Sequence, residues 1–440
     1  MRLLRAPALG FALSSVVIVS AAFFTATPVR CEALILIDAD SGKVLRAENA
    51  TYPWYPASTT KLMTLYVTLS AIRDKRITMD TLFTVSQNAA MQAPTKMGFP
   101  VGTQVTVDNA LKMMMVKSAN DMAVLLAEGI DGSVDDFAQE MTETAHRLGM
   151  SESSFVNPNG LPADGQIVSA RDLAMLARAL LHDFSDYSFY WHIPAIKWGR
   201  RVVRNYNPLL GRYAGADGMK TGFICASGFN LVATAQRDNK RLIAVVLGAP
   251  SGGARAMKAA EMLESGFHQN PLAWLTPSLG TVDALKAMDS APMDLKDQMC
   301  GGHRKKRPAE DEDIDADSDT GQSAADMVQQ HSILLSALRA PTDPVLLSDL
   351  GPVMPIVVYT GPTRTPAEIA TLQAVPEAAD AGPRKKGKSK AADKPAGTKS
   401  AAVKPAEPAA VAKPAAAKPA AVKPAAKKPA TTGKSASANQ

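Results

Sequence analysis

Ala57-Ser58-Thr59-Thr60-Lys61 is the stretch around which the chain is organised, because it places a hydroxyl and an amine three residues apart at the predicted start of a helix. Two prolines shortly before it favour an extended approach, and apolar residues recur at helical spacing after it. Positions i and i+3 share one face of a helix, so the amine of Lys61 can reach the hydroxyl of Ser58. Such an amine can remove the proton that makes an unassisted serine a poor nucleophile. Taken alone, however, Ser-x-x-Lys also arises by chance.

The first residues of the chain form a short basic segment followed by an apolar run to about Phe24. This pattern is typical of a secretory signal peptide, so we expect residues 1–31 to act as one and the chain to be exported. Cleavage after Ala22 and cleavage as late as Ala33 both fit the sequence. An uncleaved membrane anchor is the alternative, although the apolar run is near the lower limit for spanning a bilayer.

The cysteines and histidines are too few and too scattered to indicate a metal centre. The three cysteines are Cys31, Cys225 and Cys300, and none of the 6 histidines belongs to a metal-binding motif. We therefore expect neither a metal nor a cofactor. In an exported protein Cys225 and Cys300 could be oxidised together, since that compartment permits disulfides, and this pairing is a hypothesis.

The charge of the chain is divided unevenly along its length. The formal net charge is +6, but residues 381–440 contain 14 Lys or Arg and only 2 acidic residues, so the part before them is acidic. Residues 378–440 repeat Lys, Pro and Ala without large apolar side chains, which predicts a disordered basic tail. Residues 271–377, which include an acidic run at 310–319, are expected to form a largely irregular linker region. Residues 33–270 remain as the one globular domain.

Within that domain the apolar pattern has period 2 at both ends and period 3.6 in the middle. Strands are predicted in a hairpin at 33–46, as short extended pieces at 83–85 and 104–107, and at 218–223, 230–235 and 241–247. Helices are predicted at 57–73, from 107 to 128 with a break near 118, at 134–148, at 169–181 and at 254–267. Asp108 and Ser169 are the predicted caps of two of these helices. The pattern predicts an α/β fold of the α+β type, in which one antiparallel sheet is built from both ends of the domain and flanked by helices, with an all-helical region inserted.

Two further short motifs lie downstream, Ser118-Ala119-Asn120 at a break between helices and Lys220-Thr221-Gly222 on a predicted strand. Each alone is weak evidence. With Ser-x-x-Lys, in this order and behind an export signal, they form the motif set of the penicillin-recognising serine acyltransferases. The chain more specifically resembles the D-alanyl-D-alanine carboxypeptidases among the low-molecular-mass penicillin-binding proteins, in three stretches at 36–45, 157–166 and 217–222. The resemblance covers about residues 33–268 and implies a β-lactamase/transpeptidase-like fold.

The resemblance implies that Ser58, Lys61 and Ser118 are the catalytic residues. Ser58 would attack the carbonyl of the penultimate D-alanine of a peptidoglycan stem pentapeptide and form an acyl-enzyme, with Lys61 as the general base. Ser118 would relay a proton to the leaving amine. The terminal D-alanine would then leave, and water would complete hydrolysis.

The same resemblance implies a set of substrate-binding residues. Asn120 would hold the substrate amide, while Lys220 and Thr221 would bind the terminal carboxylate. Gly222 would let the substrate backbone approach the strand. The backbone N–H groups of the nucleophile and of Phe223 would form the oxyanion hole.

Two features depart from the family pattern. Some carboxypeptidases of this type carry an arginine after the strand that follows the Lys-Thr-Gly strand, where this chain has Gly248-Ala249-Pro250-Ser251, and Arg255 is the nearest candidate. Relatives also often add a compact β-rich second domain and a terminal amphipathic helix for the membrane. Residues 271–440 carry no convincing signal for either.

Three other functions are compatible with these motifs to different degrees. A serine β-lactamase commonly uses a Glu-x-x-x-Asn element for rapid deacylation, and none is suitably placed between Asn120 and Lys220. A D,D-endopeptidase acting on peptide crosslinks would use the same residues and stays open. A non-enzymatic cell-wall binding protein is the alternative from a different class.

The expected partners are peptidoglycan stem peptides as substrates and β-lactams as inhibitors, in the periplasm or at the outer face of the cytoplasmic membrane. The basic tail would be attracted to an anionic envelope polymer in a salt-dependent way. A solvated extension without a dedicated partner is the equally open alternative. Nucleic acid is not expected as a partner of an exported chain.

Overall fold

The structure is a computed structural model that describes residues 32–268, 278–301, 347 and 353–376. Its strands are β1 (Ala33–Asp38), β2 (Val44–Glu48), β3 (Leu82–Thr84), β4 (Gln104–Thr106), β5 (Ala195–Trp198), β6 (Arg201–Arg204), β7 (Ala216–Ile224), β8 (Gly228–Arg237), β9 (Lys240–Ala249) and β10 (Ile356–Val357). The main sheet has the order β2-β1-β9-β8-β7, and every neighbouring pair in it is antiparallel. The predicted sheet from both ends of the domain is therefore confirmed.

The helices lie between and after these strands. They are α1 (Lys61–Arg73), α2 (Gln87–Met91), α3 (Val107–Val116), α4 (Asn120–Asp131), α5 (Val134–Arg147), α6 (Ala170–Asp183), α7 (Phe189–His192), α8 (Gly252–Phe267), α9 (Lys296–Cys300) and α10 (Pro366–Ala374). Across the described ranges, no helix combines the length and the apolar character required to cross a bilayer. The predicted signal peptide, the acidic run at 310–319 and the basic tail lie outside the described residues.

Both faces of the main sheet are covered, which explains why β1 and β9 are apolar along nearly their whole length. Alternate residues of a strand point to opposite faces. Val245 of β9 accordingly packs in a core with α6, whereas Val246 packs in a second core with α8. The helical insertion between β2 and β7 enlarges the first core, and the functional motifs lie at its border with the sheet.

One of the two predicted helix caps is confirmed and the other is wrong. Ser169 caps α6 as predicted, because its hydroxyl accepts the N–H of Asp172. The cap of α3 is Thr106, not Asp108, since Thr106 is still extended and its hydroxyl accepts the N–H of Asn109 at 3.3 Å. Asp108 instead lies in the first turn of α3, where its carboxylate accepts the hydroxyl of Tyr190 at 2.7 Å.

Several short elements were not predicted. The β5–β6 hairpin turns at Gly199, whose φ of +57° is in the left-handed region that favours glycine. Each of its strands has four residues, which is too short for an alternating pattern to stand out. The expected extended pieces near 83–85 and 104–107 do pair with each other, as β3 and β4.

Part of the predicted linker region packs on the domain. β10 pairs in parallel with β5. The ammonium of Lys197 in β5 donates to the carbonyls of Gln373 and Val375 at 2.7 and 2.6 Å, where α10 ends. The N–H of Tyr359 donates to the side chain of Asn109 in α3 at 3.1 Å. The packed part of the chain therefore extends beyond the expected boundary at residue 270.

The hypothesis that Cys225 and Cys300 pair is confirmed, because a disulfide joins the end of β7 to α9. The same region carries two backbone contacts. The N–H of Leu295 donates to the carbonyl of Ala226 at 2.9 Å, and the N–H of Met293 donates to that of Pro53 at 3.4 Å. Residues 293–300 thus connect the β7–β8 turn to the segment that leads into the Ser58 turn.

Replacing both cysteines of this pair by serine should lower the free energy of unfolding by about 2–4 kcal/mol. A crosslink that spans 75 residues removes many conformations from the unfolded chain. Denaturant midpoints of the wild type and the double variant test this. Reductant should bring the wild type to the midpoint of the double variant and leave that variant unchanged. Equal midpoints in non-reducing buffer would contradict the prediction.

Candidate active site

Ser58 lies in a 3-10 turn at Ala57–Thr60 that continues directly into α1, close to the predicted helix start. Ala57 has a φ of +49°, an unfavourable conformation for a residue with a side chain. The turn is held from the far side by Gly160, where a Cβ atom would overlap the carbonyl of Ala57. This packing keeps the Ser58 side chain at one defined place in front of α1.

Lys61 is completely buried, and its ammonium nitrogen contacts three acceptors. The Nζ atom lies 2.9 Å from Ser58 Oγ, 2.8 Å from Asn120 Oδ1 and 2.8 Å from the carbonyl oxygen of Asn159. The predicted contact between amine and hydroxyl is therefore present. Two further acceptors fix the direction of the amine, so it can exchange a proton with Ser58 without a change of rotamer.

Asn159 is a site residue that sequence reasoning missed. The stretch at 157–166 carries part of the family resemblance, but a residue that acts through its backbone carbonyl gives no signal in a sequence pattern. In the structure Asn159 also donates from its side chain to Gln92 Oε1 at 2.9 Å, and Gln166 donates to the hydroxyl of Thr60 at 2.9 Å. The cluster therefore supports both Lys61 and the turn that carries Ser58.

The Ser118-x-Asn120 motif connects α3 to α4 as predicted, and Ser118 has a left-handed φ of +59°. Its hydroxyl is buried and makes no hydrogen bond to any described residue. Asn120 shares its side chain between two partners. Its Oδ1 atom accepts from Lys61, and its Nδ2 atom donates to the carbonyl of Ala93 at 2.9 Å. The motif thus brings one amide to the Lys61 amine, while its buried hydroxyl is left without a hydrogen bond to the described residues.

Asp121, the next residue, was not predicted and holds the loop beside the motif. Its buried carboxylate accepts the N–H groups of Met97 at 3.0 Å and Gly98 at 2.9 Å. Burial raises the pKa of the Asp121 carboxyl, and the hydrogen bonds from backbone N–H groups oppose that rise. Asp121 therefore positions the loop at 93–98 against Asn120.

The Lys220-Thr221-Gly222 motif lies on β7, the edge strand of the main sheet that faces the Ser58 turn. Lys220 is buried and its ammonium donates to the carbonyl of Thr221 at 3.0 Å. The Thr221 hydroxyl is buried and, in the described part of the chain, has no hydrogen-bond partner. A Cβ atom on Gly222 would lie 2.8 Å from the Ser58 nitrogen, so this position needs glycine for the strand to pass so close.

Phe223 and Arg255 both contact residues of β8. The ring of Phe223 stacks on that of Phe229, with centroids 4.2 Å apart. Arg255 was the nearest candidate for the family's carboxylate-binding arginine, but it is only 4% exposed. Its guanidinium donates to the carbonyl of Asn230 at 3.1 Å and lies over the Phe229 ring. The structure therefore places Arg255 under the sheet as a support for β8.

Comparison with known proteins identifies a family for the chain. The family model described as D-alanyl-D-alanine carboxypeptidase matches residues 20–251. The chain is 36% identical over 249 residues to the D-alanyl-D-alanine carboxypeptidase DacC of Escherichia coli, a match that covers 55% of this chain and 62% of that protein. A match to the carboxypeptidase DacB2 of Mycobacterium tuberculosis, 31% identical, covers 54% of this chain and 83% of that protein. The chain thus spans about three fifths of the length of DacC and most of the length of DacB2.

A solved structure has the same fold. Penicillin binding protein 6B of Escherichia coli superposes with a TM-score of 0.52 at 34% identity and covers 56% of this chain and 81% of its own. The three motifs and these similarities point to the same family. The contacts that buried Lys61 makes with Ser58 and Asn120 are consistent with it. The chain belongs to the D-alanyl-D-alanine carboxypeptidase family.

Proposed function

We propose that this protein is a serine-type D-alanyl-D-alanine carboxypeptidase that removes the terminal D-alanine of peptidoglycan stem pentapeptides. The observation that carries the proposal is the 2.9 Å contact between the buried Lys61 amine and Ser58 Oγ. A hydroxyl paired with a buried amine is the arrangement that serine acyl transfer requires. The family membership supports the choice of a peptide that ends in two D-alanines.

In the proposed reaction, neutral Lys61 takes the proton of Ser58 as the oxygen attacks the carbonyl carbon of the penultimate D-alanine. The negative charge on the carbonyl oxygen is stabilised by the backbone N–H groups of Ser58 and Phe223. The peptide C–N bond then breaks, and the leaving amine receives a proton through Ser118. Water later attacks the ester on Ser58, which releases the shortened peptide and restores the hydroxyl.

Two buried hydroxyls support the proposed positions of the substrate. Unpaired buried polar groups are costly, and Ser118 and Thr221 each carry one at the site. A substrate that presents a leaving amine to Ser118 and a carboxylate to Thr221 would remove both costs. Lys220, next to Thr221, adds the positive charge that a terminal carboxylate requires. These residues and Asn120 are our proposed binding set.

Mass analysis of a defined pentapeptide after incubation with the full chain tests the proposal. Loss of one D-alanine is the expected result. Conversion of crosslinked dimers to monomers, with pentapeptides left intact, would instead identify a D,D-endopeptidase. Continuous turnover of a penicillin would identify a β-lactamase. Absence of any product and of any covalent penicillin adduct would support a non-enzymatic wall-binding protein.

Gly222→Ala should lower the rate of acylation by a labelled penicillin roughly 100-fold, because misplacing reacting groups by about 1 Å has effects of this size. The added Cβ would approach backbone atoms of Ser58, Thr59 and Pro56, and none of them can rotate away. Gly252→Ala is the matched control, since its Cβ would meet no atom closer than 3.8 Å. Equal acylation rates for both variants would contradict the prediction.

We also propose export to the periplasm or the outer membrane face, with binding of the basic tail to an anionic envelope polymer. Support comes from the apolar leader and from the 14 Lys or Arg in residues 381–440. A chain ending at residue 377 should bind isolated cell walls less at low salt and equally at high salt. A full-length control with tail lysines changed to glutamine separates charge from length. Unchanged binding by the shortened chain would refute the tail proposal.

A further inference from the structure

Asn230 is a completely buried polar residue near the start of β8, and the proposed reaction does not use it. Its Nδ2 atom donates to the carbonyl oxygens of Tyr55 at 3.0 Å and Pro56 at 3.1 Å. Its Oδ1 atom accepts the N–H of Gly248 at 3.1 Å. One side chain therefore joins β8, the end of β9 and the two residues that precede the Ser58 turn.

The sheet explains why this side chain is available for such a role. The pairing of β8 with β9 shifts register between Phe229 and Leu231, so Asn230 lies at the irregularity. Irregular positions of this kind redirect a side chain away from the regular ladder. The N–H of Gly248 is bonded by the Asn230 side chain, and the backbone carbonyl of Asn230 accepts from Arg255. All these polar groups are thus satisfied within the fold.

The carbonyls that Asn230 binds control the place of the nucleophile. The carbonyl of Pro56 also accepts the N–H of Thr59 at 3.3 Å and its hydroxyl at 2.8 Å, which closes the turn around Ser58. Across the β7–β8 pair, Asn230 lies directly opposite Gly222. The asparagine therefore ties the Ser58 turn to the sheet at the level of the glycine that passes closest to the Ser58 nitrogen.

We propose that Asn230 is a positioning residue that sets the distance between the Ser58 turn and β7. The proposed oxyanion hole takes one N–H from each of these elements, from Ser58 and from Phe223. Without the asparagine amide, the Tyr55–Pro56 segment loses two hydrogen bonds to the sheet, and the two N–H groups no longer converge on one oxygen. Asn230 acts through the backbone and touches no reacting atom. This inference rests on the proposed acyl transfer.

Asn230→Leu tests the inference, because leucine keeps the approximate shape of the side chain and removes all three of its side-chain hydrogen bonds. We expect the first-order acylation constant for a labelled penicillin to fall roughly 10- to 100-fold, the range of small geometric misplacement. The dissociation constant of the complex that precedes acylation should change less than about 3-fold, as the binding groups of β7 remain. If Asn230 had a purely structural role, the variant would yield less folded protein, and the folded fraction would keep the wild-type acylation constant.

Asn207→Leu is the matched control. Asn207 is 2% exposed, donates to the carbonyl of Gly218 at 2.8 Å and accepts the N–H of Leu209 at 3.1 Å. The Asn207→Leu variant should lose about as much thermal stability as Asn230→Leu and keep the wild-type acylation constant. Asn230→Ala serves if the leucine variant does not fold. A fall in acylation for Asn230 variants no larger than for the control overturns the inference, whereas a wild type that is not acylated refutes the proposed function instead.

Discussion

Replacing Ser58 by alanine should abolish covalent labelling of the chain by a penicillin and release of D-alanine from a pentapeptide. Removal of the nucleophile in a serine hydrolase costs on the order of 10⁵-fold or more in rate. Two other hydroxyls are assigned to the site. That of Ser118 makes no hydrogen bond to the described residues and its proposed task is proton transfer, and that of Thr221 is proposed to bind the substrate carboxylate. The variant should fold normally, because the Ser58 hydroxyl has no hydrogen bond to the described residues other than the one to the amine. Intact-protein mass spectrometry after incubation with the penicillin measures the adduct.

Ser70→Ala is the control for that experiment. Ser70 lies on α1 like Lys61, and its buried hydroxyl has no hydrogen-bond partner within the described ranges. Its removal should leave labelling unchanged and stability equal or slightly higher, since an unsatisfied buried hydroxyl is lost. An adduct of full stoichiometry on the Ser58→Ala variant would mean that another residue is the nucleophile.

Replacing Lys61 by methionine should lower acylation about 10³- to 10⁴-fold, toward the upper end of what a positioned general base contributes. Methionine fills a similar volume but cannot take a proton from Ser58. The change also leaves Asn120 Oδ1 and the Asn159 carbonyl without their donor. Each buried acceptor that loses its donor costs about 1–3 kcal/mol, so thermal stability should fall as well. The single-turnover acylation rate must therefore be measured below the melting temperature of the variant.

Lys61→Arg separates the two effects. A guanidinium keeps the positive charge and can donate to the same acceptors, but it does not give up a proton at neutral pH. If the amine acts as a base, this variant should be nearly as slow as Lys61→Met while it recovers part of the lost stability. Acylation by Lys61→Arg at the wild-type rate would show that the lysine acts only through its charge.

The sequence predicted the contact between Ser58 and Lys61, because these residues are neighbours on one helical turn. The motif containing Asn120 identified that residue as a substrate-binding amide, but its contact with Lys61 was not predicted. Supporting residues gave no such signal. Asn159 acts through a carbonyl, and Asp121 and Asn230 bind backbone groups of segments far away in the chain. Such contacts exist only after the loops have been brought together.

The fold likewise contains elements that the sequence predicted and elements that it did not. Long apolar strands and helices were predicted within a few residues, whereas the β5–β6 hairpin was missed, since four-residue strands carry too little pattern. Asp108 was taken for a cap because aspartate is common there, but the extended backbone ends at Thr106. Arg255 could be singled out from the sequence only as the arginine nearest to the expected position. Its contacts with Asn230 and Phe229 depend on the packing of α8 beneath the sheet.

The central place of β9 in the sheet determines when the two halves of the proposed site can meet during synthesis. β1 is made early, yet its partner on one side is β9, which comes after the whole helical insertion. Closing so long a loop gives a high contact order and slow folding. Until β9 arrives, Ser58 and Lys220 belong to two halves that share no sheet, and the apolar edge of β1 stays exposed. We therefore expect a chain that ends before β9 to remain unlabelled by penicillin and to be prone to aggregation through the exposed edge of β1.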